Sequence, residues 1–352
     1  MSRLFSRSLP RLDWIQVEVT SHCNAACIYC PCTVYRDHWQ RRHLSLQTFK
    51  KILPFCPSAS MIHLQGWGEP FLNPDFLEMI HLAKRQGCRV GTTTNGTLTD
   101  RTRLSRIVDL GLDIMAFSLA GTDASNDVIR KGTTLEQVLK SIECLNSLKH
   151  DRQTSKPEIH IAYMLLSSGL ENLAGLPDLM QGLGIRQAVI STLDFIGDDR
   201  LAEASFIPDH QTLDNLKNHL DLVVRDGRSR GLDIHYQIPG GRQPGSCSEN
   251  VLKSLVISSD GTVSPCVFTN MPLTGGDGLQ KGRARAYIPL HLGNIHSLPL
   301  DRIWWRKEAR ALRKAFTRHR YPLPCIDCPK RRTVTDQVIP LSTVRDYLNV
   351  LD

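Results

Sequence analysis

No uninterrupted apolar run in this 352-residue chain approaches the roughly 18 residues that a membrane-spanning helix needs. A secretory signal is missing as well. Met1 to Leu12 is rich in Arg and Ser and free of acids, as transit peptides are, but it has no apolar h-region, and a strand-like run begins already near Asp13. There is no internal repeat and no low-complexity tract. With 41% hydrophobic and 22% charged residues the composition is that of an ordinary globular protein and excludes a disordered chain. The length suffices for one large core or two modest ones, and the expected location is the cytoplasm.

Charge is unbalanced but not extreme: 43 basic against 35 acidic residues, a net +8. That permits an acidic partner such as a nucleic acid, a phosphate or an acidic peptide without demanding one. Much of the surplus lies between Trp304 and Arg332, with Arg306, Lys307, Arg310, Arg313, Lys314, Arg318 and Arg320. Ordinary charge patterning reads this as the solvated face of a basic helix.

The cysteines say more. There are 11, an odd number, with no secretory signal, which argues against a disulfide scaffold. Cys23, Cys27, Cys30 and Cys32 sit together near the start, Cys325 and Cys328 near the end, and Cys247 and Cys266 between; Cys56, Cys88 and Cys144 are scattered and read as buried small hydrophobes. Clustering in a reducing compartment points to metal.

The first two thirds alternate between strand and helix patterns. Strands are expected at Trp14–Thr20, Met61–Gln65, Arg89–Thr94, Asp113–Leu119, Glu158–Leu165 and Gln187–Leu193. Helices are expected at Leu46–Phe55, Pro74–Gln86, Asp100–Leu110, Thr134–Leu148, Leu173–Gly182 and Asp209–Arg228. Such βα units imply an α/β fold with a parallel sheet, and six units fall short of a closed eight-stranded barrel, so a partial (β/α)6 TIM-type barrel is expected. After Gly240 the texture changes: a Gly/Pro hinge at Gly240–Gly245, then a hairpin of Lys253–Ser258 and Thr262–Cys266 around Ser259-Asp260-Gly261, then a Gly- and Arg-rich loop, Met271–Tyr287. The expected division is a barrel over 1–240 and a small cysteine-rich module over 241–352.

Active sites in such folds gather in the loops at the carboxyl ends of strands, and the unusual segments fall there. Cys23-x3-Cys27-x2-Cys30 supplies three thiolates within eight residues. Three thiolates hold three irons of a cubane 4Fe–4S cluster and leave the fourth open for a substrate or cofactor, whereas ordinary ferredoxin sites use four cysteines. The alternative is zinc with Cys32 as fourth ligand, but zinc sites usually present paired C-x2-C units. The role of Cys32 stays open.

Cys23-Asn24-Ala25-Ala26-Cys27-Ile28-Tyr29-Cys30 resembles the CxxxCxxC loop of the radical S-adenosylmethionine (SAM) superfamily, aromatic residue included. Gly66-Trp67-Gly68-Glu69-Pro70 is similar to that family's GGEP segment, Thr94-Asn95-Gly96 to its TNG segment, and Phe117-Ser118-Leu119-Ala120-Gly121 to its SLDG segment, with Ala120 in place of the usual Asp. Taken singly, Glu69 reads as a helix N-terminal acid, Asn95-Gly96 as a turn, Ser118 as a strand-end hydroxyl and Arg130 as a surface arginine; their order after successive strands carries the resemblance, over roughly residues 14–200. It implies that SAM chelates the open iron, that Glu69 accepts from its ammonium, that the backbone of Gly66 and Gly68 approaches it, that Asn95 and Ser118 bind its ribose or carboxylate, and that Arg130 faces its carboxylate. It also implies reductive cleavage of SAM to a 5′-deoxyadenosyl radical that takes a hydrogen atom from substrate.

Cys247, Gly261, Cys266 and the pair Cys325-x2-Cys328, with Leu292-Gly293-Asn294-Ile295 and Ile303-Trp304-Trp305 between, resemble the auxiliary-cluster domains called SPASM and twitch. Four thiolates close one further 4Fe–4S cluster, with structural zinc as the alternative, and no cysteine follows in Pro329–Asp352, so a single-cluster, twitch-like module is expected. Enzymes of this build act on peptide or protein side chains or on small-molecule precursors, and the likeness alone does not choose among them. About 13 residues precede the first strand, fewer than the peptide-binding domain that many peptide-modifying members carry there. This lowers the expectation of leader-guided peptide modification, although a separate protein could supply that recognition. A reducing donor of flavodoxin or ferredoxin type is the implied partner. Radical modification of RNA and a non-catalytic iron–sulfur or zinc scaffold are the competing readings. No general base stands out; Tyr163, Asp194, His296 and Asp327 are polar candidates.

Overall fold

The structure, a computed structural model, describes residues 8–206, 210–237, 247–275, 287–326, 328 and 330. Ten strands, β1 (Leu12–Val17), β2 (Ala59–Leu64), β3 (Val90–Thr94), β4 (Ile114–Leu119), β5 (Glu158–Leu165), β6 (Gln187–Thr192), β7 (Asp233–Gln237), β8 (Ser254–Ile257), β9 (Thr262–Ser264) and β10 (Gly293–Asn294), form one sheet in the order β10-β9-β8-β1-β2-β3-β4-β5-β6-β7. Neighbours from β8 round to β7 are all parallel; β9 and β10 add antiparallel pairs at the β8 end. Among the described residues the helices are α1 (Pro31–Val34), α2 (Leu46–Lys50), α3 (Phe76–Arg85), α4 (Arg101–Asp109), α5 (Ser125–Ile129), α6 (Leu135–Asp151), α7 (Leu176–Gly182), α8 (Asp199–Glu203), α9 (His210–Ser229), α10 (Leu300–Trp305) and α11 (Lys307–Thr317).

Strand alternation divides the side chains in two. Ile15 and Val17, Ile62 and Leu64, Met115, Phe117 and Leu119, Ile159, Ile161 and Leu165, and Ala188 and Ile190 face the helices and share one core with Phe76, Ile80, Leu104, Ile142 and Leu145. The alternate set, including Gln16, Glu18, His63, Gln65, Thr93, Ser118, His160 and Ser191, faces the concave side. At the carboxyl ends of the strands a second apolar cluster gathers Cys32, Tyr35, Trp39, Ala120, Leu193 and Met271, with Cys23, Cys30 and Trp67 packed on it.

Three features depart from the sequence expectation. A seventh strand, β7, follows α9; its sequence, Asp233-Ile-His-Tyr-Gln, carries too few apolar residues to be read as a strand. The hairpin after residue 247 does not stand apart: Trp14 to Val17 of β1 pair in parallel with Ser254 to Ile257 of β8, so both modules share the sheet. The helix expected over Leu46–Phe55 stops at Lys50, and a 3-10 turn carries on from Leu53 to Ser58, because Pro54 and Pro57 cannot donate to an α-helical ladder. The expected hinge at Gly240–Gly245 lies outside the described residues.

Candidate active site

The cysteine loop leaves β1 and is pinned from across the barrel mouth. The N–H groups of Ala26 and Ile28 donate to the carbonyls of Lys131 (2.7 Å) and Ile129 (3.0 Å), at the end of α5 and just beyond it. Gly132, at φ 86°, lets the two segments meet, since a Cβ there would lie 3.2 Å from Ala25 Cα in a backbone conformation unfavourable to other residues. Cys30 N–H closes back on the Cys27 carbonyl at 3.1 Å, and α1 starts directly after Cys30. Burial lifts the Cys23 thiol to about 12 and the Cys30 thiol further, with Cys27 and Cys32 adding to both. Cys32 stands at about 11, raised by burial, eased by Arg41 and raised by Cys27. The four sulfurs therefore share one electrostatic neighbourhood.

Arg130 reaches this loop. It is 4% exposed, donates through Nη1 to the Tyr29 hydroxyl, and leaves Nε, also buried, without a partner among the described residues. A buried guanidinium with an unmet donor, close enough to Cys27 and Cys23 to feel their charge, calls for an anion.

Glu69 follows β2 and is buried, its carboxylate gripped on both oxygens. Oε1 accepts from Thr94 Oγ1 at 2.7 Å and from Phe71 N–H at 3.3 Å, and Oε2 accepts from Asn95 N–H at 2.7 Å. Burial raises its pKa against the pull of these donors and of Arg130. Asn95 closes β3 and ties that strand end to the cysteine loop: its Nδ2 donates to Asn24 Oδ1 at 2.9 Å, and its Oδ1 accepts from Thr97 N–H and Oγ1. Ser118 lies half-buried on the concave face of β4. At Ala120, where the family carries Asp, the backbone N–H donates to Asn126 Oδ1 at 3.0 Å instead.

Gly66 and Gly68 make room for the chain itself. A Cβ at Gly66 would stand 2.2 Å from Glu18 Cγ, and one at Gly68 would stand 2.3 Å from the His22 carbonyl. Glu18 was not legible as a site residue, although an acid on the inward side of the strand run Trp14–Thr20 was a signal. It is 2% exposed; Oε1 accepts from Trp67 N–H (3.1 Å) and Oε2 from Ser259 N–H (3.1 Å) and Oγ (2.9 Å), joining β1, the Gly-Trp-Gly segment and the β8–β9 hairpin.

The other cysteines also converge. Burial, Glu249, Cys325 and Cys328 push the Cys266 thiol well up, and Cys328 rises to about 11 through burial, with Cys247, Asp194 and Glu249 adding. Aromatic edges connect the two cysteine sites: Trp67 meets Trp39 at 6.3 Å and Phe268 at 5.6 Å between ring centroids, and Trp39 Nε1 donates to the Ser21 carbonyl at 3.0 Å. Of the polar candidates among the described residues, only Asp194 reaches this region. Tyr163 shares the helix-facing side of β5 with Ile161 and Leu165 and is 1% exposed, so it belongs to the outer core. His296 is exposed at the hairpin turn, 3.4 Å from Lys51 Nζ. Asp327 lies outside the described residues. Cys56 and Cys88 are buried and Cys144 is partly buried, as expected.

Two family models match the chain, the radical SAM superfamily over residues 17–162 and the SPASM iron–sulfur cluster-binding domain over residues 247–329. The chain carries a radical SAM domain and a SPASM module. It is 25% identical over 326 residues to the tungsten-containing aldehyde ferredoxin oxidoreductase cofactor-modifying protein of Pyrococcus furiosus, covering 91% of this chain and 88% of that protein. It is 22% identical over 266 residues to the PqqA peptide cyclase of Methylorubrum extorquens, covering 73% and 66% respectively. Among solved structures, anSMEcpe with bound AdoMet matches with a TM-score of 0.65 at 15% identity over 96% of this chain and 95% of that one. SuiB of Streptococcus suis bound to SAM matches with a TM-score of 0.64 at 13% identity over 92% and 72%. Both structures share the fold. None of these proteins points to RNA or to a non-catalytic scaffold, and no helix among the described residues is long and apolar enough to cross a membrane.

Radical SAM and SPASM domains bind a SAM-binding 4Fe–4S cluster, SAM and auxiliary iron–sulfur clusters. The chemistry of the residues fits these groups. Buried thiols with raised pKa values ionise only against strong positive charge, which cluster irons supply, and the unmet Nε of Arg130 suits an anionic ligand.

Proposed function

We propose that Cys23, Cys27 and Cys30 hold the SAM-binding cluster, that Cys247, Cys266, Cys325 and Cys328 hold one auxiliary cluster, and that the chain divides near residue 240 into the barrel and the SPASM module. When bound, the cluster and SAM would supply one-electron chemistry that ends in removal of a hydrogen atom from the substrate. The chain's residues hold and orient. Arg130 directs its free Nε–H at the SAM carboxylate, Glu69 sets the position of the ammonium while buttressed by Thr94 and Asn95, and Asn95 and Ser118 line the ribose side. Gly66 and Gly68 support this arrangement by seating Glu18 and the Thr20–His22 strand end. The apolar cluster around Tyr35, Trp39 and Leu193 excludes water from the concave side.

The substrate is a peptide or protein side chain or a small-molecule precursor, oxidised or remodelled with help from the auxiliary cluster, and a flavodoxin- or ferredoxin-like protein delivers the electron. The relative from Pyrococcus, matched over nearly its full length and named for cofactor modification, favours the precursor class. The single observation that carries this reading is Arg130, a buried cation with an unmet donor placed against the thiols of the three-cysteine loop.

The test is anaerobic reconstitution followed by iron and sulfide analysis and detection of 5′-deoxyadenosine after dithionite and SAM. About eight irons per chain, from two four-iron clusters, and 5′-deoxyadenosine that disappears in Cys27→Ala are expected. Zinc in place of iron, or SAM cleavage that survives Cys27→Ala, overturns it.

A further inference from the structure

The cysteines at 247, 266 and 328 are each followed, two residues later, by a side chain that turns back on the same spot. Glu249 follows Cys247, Phe268 follows Cys266 and Lys330 follows Cys328. Lys330 Nζ lies 3.3 Å from Glu249 Oε1 and 5.5 Å from the centre of the Phe268 ring. It also lies 2.6 Å from Oδ2 of Asp194, which belongs to the barrel and sits two residues beyond β6. All three charged side chains are largely withdrawn from water, at 12% exposure for Lys330, 15% for Asp194 and 17% for Glu249.

We propose that Lys330 is a positioning residue for the auxiliary cluster: its ammonium, clasped between Asp194 and Glu249, sets how readily that cluster accepts an electron and ties it to the rim of the barrel. This rests on the assignment of Cys247, Cys266, Cys325 and Cys328 as the cluster's ligands. The physical argument is charge. Taking up one electron adds one negative charge to a site screened from water, where a nearby charge acts at low effective dielectric. The clasp presents one cation and two carboxylates, a net of one negative charge. Without Lys330 the two carboxylates lose the cation they share and reduction becomes harder. Without the Asp194 charge the ammonium is matched by Glu249 alone and reduction becomes easier. A contact that merely holds the fold together has no reason to move the potential in opposite directions for its two halves. The same contact carries position: Lys330 and Phe268 stand behind Trp67, which packs between Phe268 and Trp39 on the barrel side.

The experiment is a redox titration of the reconstituted full chain at about pH 8.5, where ordinary carboxylates are ionised, followed by electron paramagnetic resonance of both clusters. Lys330→Met is expected to lower the reduced-to-oxidised ratio of the auxiliary cluster about tenfold at fixed potential, which is 59 mV for one electron. Asp194→Asn is expected to shift it the opposite way, and Lys330→Arg to stay near the parent. The SAM-binding cluster, beyond the clasp, keeps its potential in all three. Unmoved auxiliary potentials in Lys330→Met and Asp194→Asn, or shifts of the same sign, overturn the inference while the cluster assignment stands. An iron content near four with no second paramagnetic signal in the parent protein overturns the assignment itself. If Lys330→Met fails to take up iron, Asp194→Asn and Lys330→Arg decide the sign alone.

Discussion

Asn95 donates its backbone N–H to Oε2 of Glu69 at 2.7 Å, so the end of β3 and the segment after β2 share one buried carboxylate. The amide side chain of the same Asn95 holds Asn24 in the cysteine loop. Two strand ends and the loop are thereby locked into one hydrogen-bonded unit.

Glu69→Gln would turn one acceptor oxygen into a donor facing either Asn95 N–H or the Thr94 hydroxyl. Leaving a buried donor unmet costs about 1–3 kcal/mol. The expected outcome is a lower melting temperature and no 5′-deoxyadenosine formation. Calorimetry and the SAM cleavage assay check both; a variant of parental stability and activity would show that the carboxylate is dispensable.

Arg130→Leu removes the unmet donor together with its charge. Hydrogen bonds to charged groups contribute about 1.5–3 kcal/mol, so SAM affinity should fall by about one to two orders of magnitude with iron content unchanged. Equilibrium binding to the reconstituted, oxidised protein reads this directly, and Arg130→Lys should recover only part because it lacks the planar fork.

Gly68→Ala places a Cβ 2.3 Å from the His22 carbonyl and 2.5 Å from that of Thr20, both held by backbone hydrogen bonds. Overpacking of this kind costs about 1–3 kcal/mol or more. Gly182→Ala, with nothing within 4 Å, is the control and should be neutral to slightly stabilising. Paired melting curves test the contrast.

Asp113, at the opposite end of the barrel from the cysteines, accepts from Lys84 Nζ at 2.5 Å, from Val90 N–H at 2.9 Å and from Lys156 Nζ. Burial alone would raise its pKa, but the two lysines and the amide more than offset this and hold it below 3.8. A lowered folded value means the stabilisation is fully present above the ordinary Asp range and is lost as pH falls through the lowered one. Asp113→Asn should therefore cost about 2–3 kcal/mol at neutral pH, a range that discounts for the 49% exposure of Lys156. The gap from the parent should close in acid. A constant gap down to about pH 2 would refute this reading.

Much of the barrel and of the cysteine chemistry was legible because it is written locally. Strand alternation in Glu158–Leu165 even places Tyr163 with Ile161 and Leu165, so its removal from the site follows from the pattern once the register is respected. What was not legible depends on distant partners. Glu18 meets Ser259 across 241 residues, and Lys330 finds Asp194 only after the auxiliary module has docked. No local period encodes such pairs. The break after Lys50 was local, in Pro54 and Pro57, but the apolar spacing through Phe55 masked it.

The strand that opens the barrel, β1, is flanked on one side by β2 and on the other by β8, which leaves the ribosome some 240 residues later. Until then one rim of β1, from Trp14 to Val17, offers bare amides and carbonyls to any extended chain nearby. A barrel truncated before residue 247 would keep that open rim permanently and present a template for pairing with copies of itself. Separating the two modules with a stop codon therefore turns a transient open edge into a permanent, aggregation-prone one, and the sheet makes the cysteine-rich C-terminal segment a cover for the first strand as well as a seat for a cluster.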